Sequence, residues 1–147
     1  MVLLFSVCLS VSNRCLPGDS CFPANIEFIK FLETLDGKLH FPHTPEYDRL
    51  AVQRETIYTK FPFVIAEVKN VADIQKCILF ARKHNLLVSV KTSGHDFIGR
   101  STAHGSLMIY LGSMNDTTVN LSSTRNAAGE ITCESGNTWL KVYKEVN

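Results

Sequence analysis

Residues 63–101 read FVIAEVKNVADIQKCILFARKHNLLVSVKTSGHDFIGRS, and the order of patterns within them decides the fold. Phe63-Val64-Ile65-Ala66 is a short apolar run after Pro62, as a buried strand requires. Asn70 has the side chain to cap a following helix, Asp73 falls in its first turn, and Val71, Ile74, Ile78 and Ala81 recur at helical spacing to form one apolar stripe. Lys83 and His84 meet the negative end of that helix, and Asn85 suits a left-handed stop. Leu86-Leu87-Val88-Ser89-Val90 is the next strand. Strand, helix and strand within about 30 residues predict a right-handed crossover and a parallel pair.

Working outward, Leu107-Met108-Ile109-Tyr110-Leu111 reads as a strand, Thr117 to Leu121 alternates, and Ala128-Gly129-Glu130 turns into Ile131-Thr132-Cys133-Glu134. A last helix starts at Asn137 or Thr138, with Trp139, Val142, Tyr143 and Val146 as its apolar face and no stop signal after it. Toward the amino end, Asn25 caps a predicted helix through Leu35, with Ile26, Ile29, Leu32 and Leu35 inward and Gly37 as its stop. Leu39 to Lys60, containing Pro42 and Pro45, shows no period and reads as a surface connection. His40 and His43 have no third ligand nearby, so they read as loop histidines and no metal site is expected. The fold class is therefore α+β, with a β-α-β crossover and a small mixed sheet, and the unfinished last helix predicts an incomplete polypeptide.

The chain has 147 residues, 45% of them apolar, which suffices for one ordinary domain. Its 15 Lys+Arg against 14 Asp+Glu give a net charge of +1 without a basic stripe, so nucleic acid is not an expected partner. The longest apolar run, Val2 to Val11, falls short of the ~20 residues that span a bilayer, and no membrane span is expected. Residues 1–12 read instead as a secretory signal: Val2, Leu3, Leu4, Phe5, Val7 and Leu9 form its apolar stretch and Ser10-Val11-Ser12 its cleavage site, although no Lys or Arg precedes them. The domain plan is then 1–12 signal, 13–60 amino-terminal helix and connection, 61–147 main domain. Removing Cys8 leaves Cys15, Cys21, Cys77 and Cys133, which allow three pairings. Cys15 and Cys21 flank the turn residues Pro17-Gly18-Asp19 and are the foremost candidates, while Cys77 and Cys133 also read as small buried hydrophobes. The sequons at Asn115 and Asn120 suit an extracellular protein.

The loop after the second strand carries the chemistry. Gly94 to Ser101 comes within one residue of a nucleotide P-loop, with Arg100 where Lys is required. A P-loop opens directly into a helix, whereas Ser101 leads into Thr102-Ala103-His104-Gly105 and a β-rich run, so nucleoside triphosphate binding is not expected. What the residues offer is an anion cradle. Gly94 and Gly99 allow close main-chain approach, Thr92, Ser93 and Ser101 add hydroxyls, and Lys91 and Arg100 add positive potential. A plain glycine turn between strands fits the same residues equally well.

Lys91-Thr92-Ser93-Gly94-His95-Asp96-Phe97-Ile98-Gly99-Arg100-Ser101, placed between that crossover and Ser106 to Leu111, resembles the PCMH-type FAD-binding domain of the berberine bridge enzyme-like oxidases, within the vanillyl-alcohol oxidase and p-cresol methylhydroxylase superfamily. The resemblance runs from about Phe61 to the last residue, and Cys15-Leu-Pro-Gly-Asp-Ser-Cys21-Phe-Pro is similar to the amino-terminal segment of secreted members. The family loop is commonly Gly-Gly-His; here it is Ser93-Gly94-His95.

The resemblance implies that this loop wraps the FAD pyrophosphate and that His95 is joined covalently to the 8α-methyl carbon of the flavin, with Asp96, Phe97 and Gly99 in the same wall. It implies a secreted flavin-dependent oxidoreductase that oxidises a small-molecule substrate by hydride transfer and is reoxidised by dioxygen. Its alternative is a secreted module that keeps the fold without turnover. No cysteine matches the second flavin link of many members, and no catalytic base is nominated; Tyr110, Tyr143 and Glu134 read as sheet and helix residues.

Overall fold

The computed structural model describes residues 14–52 and 60–146, so the expected signal segment lies outside the described residues. The elements in chain order are α1 (Asn25–Leu32), β1 (Lys38–His40), α2 (Pro45–Ala51), β2 (Val64–Glu67), α3 (Val71–Lys83), β3 (Val88–Lys91), β4 (Leu107–Tyr110), β5 (Thr117–Asn120), β6 (Glu130–Cys133) and α4 (Trp139–Val146). β1 to β4 form a mixed sheet in the order β1-β2-β4-β3, with β1 antiparallel and the other three parallel; β5 and β6 form an antiparallel pair of their own. This is the expected α+β class with a small mixed sheet.

β2 and β3 run parallel as the crossover predicts, but they are not neighbours, because β4 enters between them and pairs with both. Burial explains the order. Leu107, Met108 and Ile109 are buried on both faces and take the centre of the sheet, where both backbone edges are hydrogen-bonded. β3, with Ser89, Lys91 and an exposed Val90, takes the edge.

Strand alternation divides the core. Val64, Ala66, Val68, Leu107 and Ile109 face α1 and α3, while Ile65 and Met108 face Tyr47, Leu50 and Ala51 of α2. α3 is capped as expected, Asn70 Oδ1 accepting from the Asp73 N–H at 2.9 Å, and Asn85 takes a positive φ of 50° at its end. The buried stripes of the two outer helices differ from expectation. On α3, Val71 (61% exposed) and Ile78 (47%) face outward, and Asp73, Cys77, Phe80 and Ala81 face the core, with Ile74 at the margin. On α1, Ile26 and Ile29 are each 53% exposed, and Phe28 and Phe31 are buried. Phe31 stacks on Phe80 with ring centres 4.2 Å apart, and Phe28 packs against Phe22, Phe63 and Phe80. Rings bury more area per residue than Ile or Val, so the aromatic pair sets the face of each helix. Asn25 is the first helical residue rather than the cap, a position held by Ala24 without a side-chain hydrogen bond.

The segment read as a connection holds β1 and α2. Thr44 caps α2, its Oγ1 accepting from the Tyr47 N–H at 3.3 Å, and Pro45 occupies the first turn. A threonine followed by proline is a helix-start signature that would have revealed this element. His40 lies in β1 with Nε2 at 2.8 Å from Glu67 Oε2, and no group of three metal-ligating side chains occurs among the described residues. Nor is any described helix long and apolar enough to cross a membrane.

Cys15 and Cys21 are joined by a disulfide, which settles one of the pairings left open. Cys77 is buried as expected; Cys133 is exposed, because the β5–β6 pair lies apart from the main sheet and β6 buries none of its side chains fully. Burial, with Asp73 nearby, pushes the Cys77 thiol up to about 12, so it stays protonated and shielded at neutral pH. Maleimide treatment of the native protein followed by peptide mapping should therefore modify Cys133 rapidly and leave Cys77 unmodified until denaturant is added. Equal labelling of the two peptides in native buffer would contradict this packing.

Candidate functional site

The register of the parallel strands brings Glu67, Tyr110 and Lys91 side by side in one row, at the carboxyl ends of β2, β4 and β3 and on the face that α2 covers. Open α/β sheets bind ligands at such strand ends. A cavity of about 750 Å³ opens there. Its walls come from Arg49, Leu50 and Val52 at the end of α2, from the loop after β3, from Tyr110, and from Asn137 to Trp139 at the start of α4. The volume lies within the range of small-molecule and cofactor sites, roughly 300–1,000 Å³.

Of the loop residues, Lys91, Ser93, Gly94 and His95 line the cavity; Thr92, Asp96, Phe97, Gly99 and Ser101 lie along the loop outside that lining. Gly94 and Gly99 both have positive φ, 76° and 70°, the left-handed conformation that glycine adopts without steric cost. The His95 ring meets Phe97 edge to face with centres 5.2 Å apart. Asp96 accepts hydrogen bonds from the Arg100 backbone N–H and from its guanidinium, Nε at 3.1 Å and Nη2 at 2.8 Å, which holds the Asp96 carboxyl below its usual range. Arg100 therefore spends its charge inside the loop, where the sequence suggested a contribution to an anion. Lys60 Nζ donates to the Gly99 carbonyl at 3.2 Å and anchors the far end of the loop. No helix follows Ser101, in keeping with the rejection of a P-loop.

Lys91 occupies an unusual position for a lysine. It is 5% exposed, and its ammonium donates to the Leu50 carbonyl at 2.6 Å and to the Val52 carbonyl, the free acceptors at the end of α2. Burial, reinforced by Arg49, lowers its affinity for the proton relative to an exposed lysine. The lysine stem also fills the space beneath Gly94, where an added Cβ would lie 2.5 Å from Lys91 Cε. One side chain thus ties α2 to the loop and supports the backbone beside His95.

Glu67, the other charged group of the row, is occupied. Its Oε2 is held by His40, and its Oε1 accepts from Ser113 Oγ at 2.6 Å. Burial, the largest single influence, works to raise its carboxyl, but the hydrogen bonds from Ser113 and His40 and the positive charge of His40 and Arg49 together outweigh it and hold the group below its usual range. Sequence reasoning did not place Arg49, Asn137, Thr138 or Trp139 at the site, since they reach it from elements distant in the chain. Tyr110 is a strand residue as expected, and its side chain also forms part of the cavity wall.

Residues 62–147 match the family described as FAD binding domain, which is well over half of the chain. The chain belongs to this family. A VAO-type flavoprotein oxidase of Thermothelomyces thermophilus is 26% identical over an alignment covering 74% of this chain and 27% of that protein. The FAD-linked oxidoreductase sor8 of Hypocrea jecorina is 27% identical over 69% of the chain and 25% of its own length. Among solved structures, the VAO-type flavoprotein MtVAO615 of Myceliophthora thermophila superposes with a TM-score of 0.66 at 20% identity, covering 80% of this chain and 30% of that one. A carbohydrate oxidase from Microdochium nivale superposes with a TM-score of 0.54 at 30% identity, covering 60% and 19%.

The fold is thus that of the PCMH-type domain in the vanillyl-alcohol oxidase and berberine bridge enzyme-like superfamily, the relatives are FAD-linked oxidoreductases, and FAD is the cofactor of this domain. The chain spans about a quarter of the length of the curated relatives it matches. The cavity suits the cofactor: Arg49 and Lys91 are cationic, no carboxylate lines the wall among the described residues, and a glycine backbone in the left-handed conformation forms one side.

Proposed function

We propose that this chain is the FAD-binding part of a secreted flavin-dependent oxidoreductase in which His95 bonds covalently to the flavin. The observation that carries the reading is the placement of His95, Gly94 and Ser93 on the wall of a cavity that also holds two cations. Ser93 and Gly94 present backbone to the pyrophosphate, Lys91 holds that backbone in place, and Tyr110 and Trp139 provide flat apolar area. His95 would hold the flavin through a ring nitrogen bonded at the 8α position, because a neutral imidazole is a nucleophile near neutral pH and this one stands on the cavity wall beside a glycine that lets the backbone approach the cofactor edge. Bound here, the flavin supplies a two-electron acceptor, so that a small-molecule substrate is oxidised by hydride transfer to it and dioxygen restores it. The Cys15–Cys21 disulfide supports an oxidising compartment.

Expressed in a secretory host, the protein is expected in the medium with its amino terminus near Asn13, and acid precipitation of a longer form that completes the flavin site should leave flavin attached to the pellet. His95→Ala should release all of its flavin to the supernatant. Retention inside the cell would remove the secretory half of the reading; attached flavin in the alanine variant, or none in the parent despite bound FAD, would remove the other.

A further inference from the structure

Arg49 stands in the last turn of α2, outside the residues that match the family, and its side chain is exposed on the cavity wall next to Lys91. It makes no hydrogen bond or ion pair with another described residue, and its charge contributes to lowering the Glu67 carboxyl. Among the described residues, Glu67 is engaged by His40 and Ser113, and Asp96 by Arg100. Lys91 spends two of its three donors on Leu50 and Val52. Opposite them, Thr138 and Trp139 bring the first turn of α4, the positive end of its dipole, to the same cavity. Two like charges beside a helix amino end, with no carboxylate on the cavity wall among the described residues, form a site short of negative charge.

We propose that Arg49 and Lys91 form an anion subsite that takes the pyrophosphate of FAD, with the Arg49 guanidinium as the direct ligand and Lys91 as the charge behind it. The assignment of the ligand rests on the flavin reading above. A guanidinium matches paired phosphate oxygens in a way that a hydrated ammonium does not. The α2 segment thereby becomes part of the cofactor site.

The test is titration calorimetry of inorganic pyrophosphate, FAD and riboflavin into protein carrying His95→Ala, which keeps the cofactor exchangeable. Arg49→Gln should weaken pyrophosphate and FAD by about tenfold or more while leaving riboflavin, which lacks phosphate, within a factor of about two, and Arg49→Lys should recover part of the loss. The pyrophosphate affinity should also fall steeply with added salt. Unchanged pyrophosphate affinity in Arg49→Gln, or an equal loss for riboflavin, overturns the proposal, the latter by showing that Arg49 merely supports the fold. Pyrophosphate binding that depends on Arg49 without any FAD binding would keep the subsite and overturn the flavin reading instead.

Discussion

Replacing Asp73 by alanine is expected to lower the unfolding free energy by about 3–5 kcal/mol, a large share of the stability of a domain this size. The carboxylate is fully buried and accepts three backbone hydrogen bonds: from Asp36 and Gly37 at 3.0 Å each, and from Lys69 at 3.1 Å. It thereby holds the turn before β1 and the β2–α3 connection at Lys69 onto the first turn of α3. Alanine removes the shared acceptor of three part-buried backbone N–H groups, a loss of about 1–1.5 kcal/mol for each hydrogen bond to the charged group, and leaves a void where the buried carboxylate stood. Asp73→Asn keeps one acceptor oxygen and should lose about half as much. Urea denaturation of both variants measures the difference; an alanine variant within about 1 kcal/mol of the parent would mean that Asp73 is only a first-turn charge meeting the helix dipole.

The second large effect is expected at Gly94. An alanine there must adopt a φ of 76°, which costs about 1–2 kcal/mol for a residue with a Cβ. It must also displace the Lys91 stem, which is pinned by the carbonyls of Leu50 and Val52 and cannot swing away freely. The sum is a loss of about 3 kcal/mol in stability together with loss of FAD retention, because the displaced backbone is the part that approaches the cofactor. The steric component is separable. In the double variant Gly94→Ala/Lys91→Ala the clash is gone, so the two substitutions should cost at least about 1 kcal/mol less together than separately. Strict additivity in a urea double-mutant cycle would show that Gly94 does not rest on the lysine.

Much of the framework was legible from local signals. The Asn70 cap, the Asn85 stop and the apolar run at β2 act over a few residues, so propensity and periodicity suffice to read them. The loop was legible for a similar reason, since Gly94 and Gly99 mark left-handed positions that few other residues tolerate. α1 and α3 show where this kind of reading stops. Each carries two apolar stripes, and the sequence ranks them equally until the Phe28, Phe31 and Phe80 rings meet and bury one. The α2 helix was missed because Pro42 and Pro45 were weighed as breakers, although proline at a helix start costs nothing.

By itself the sequence determined the β-α-β order, the α+β class and the position of the His95 loop after a strand, because caps, glycines and hydrophobic period act within a few residues of themselves. Only the tertiary structure decided that β4 lies between β2 and β3, that Lys91 turns its charge into the end of α2, and that Arg49 and the start of α4 close on the same cavity. Those outcomes depend on which surfaces bury best against one another and on which buried charges find partners. That competition is settled between segments well separated in the chain and leaves no mark in any one of them.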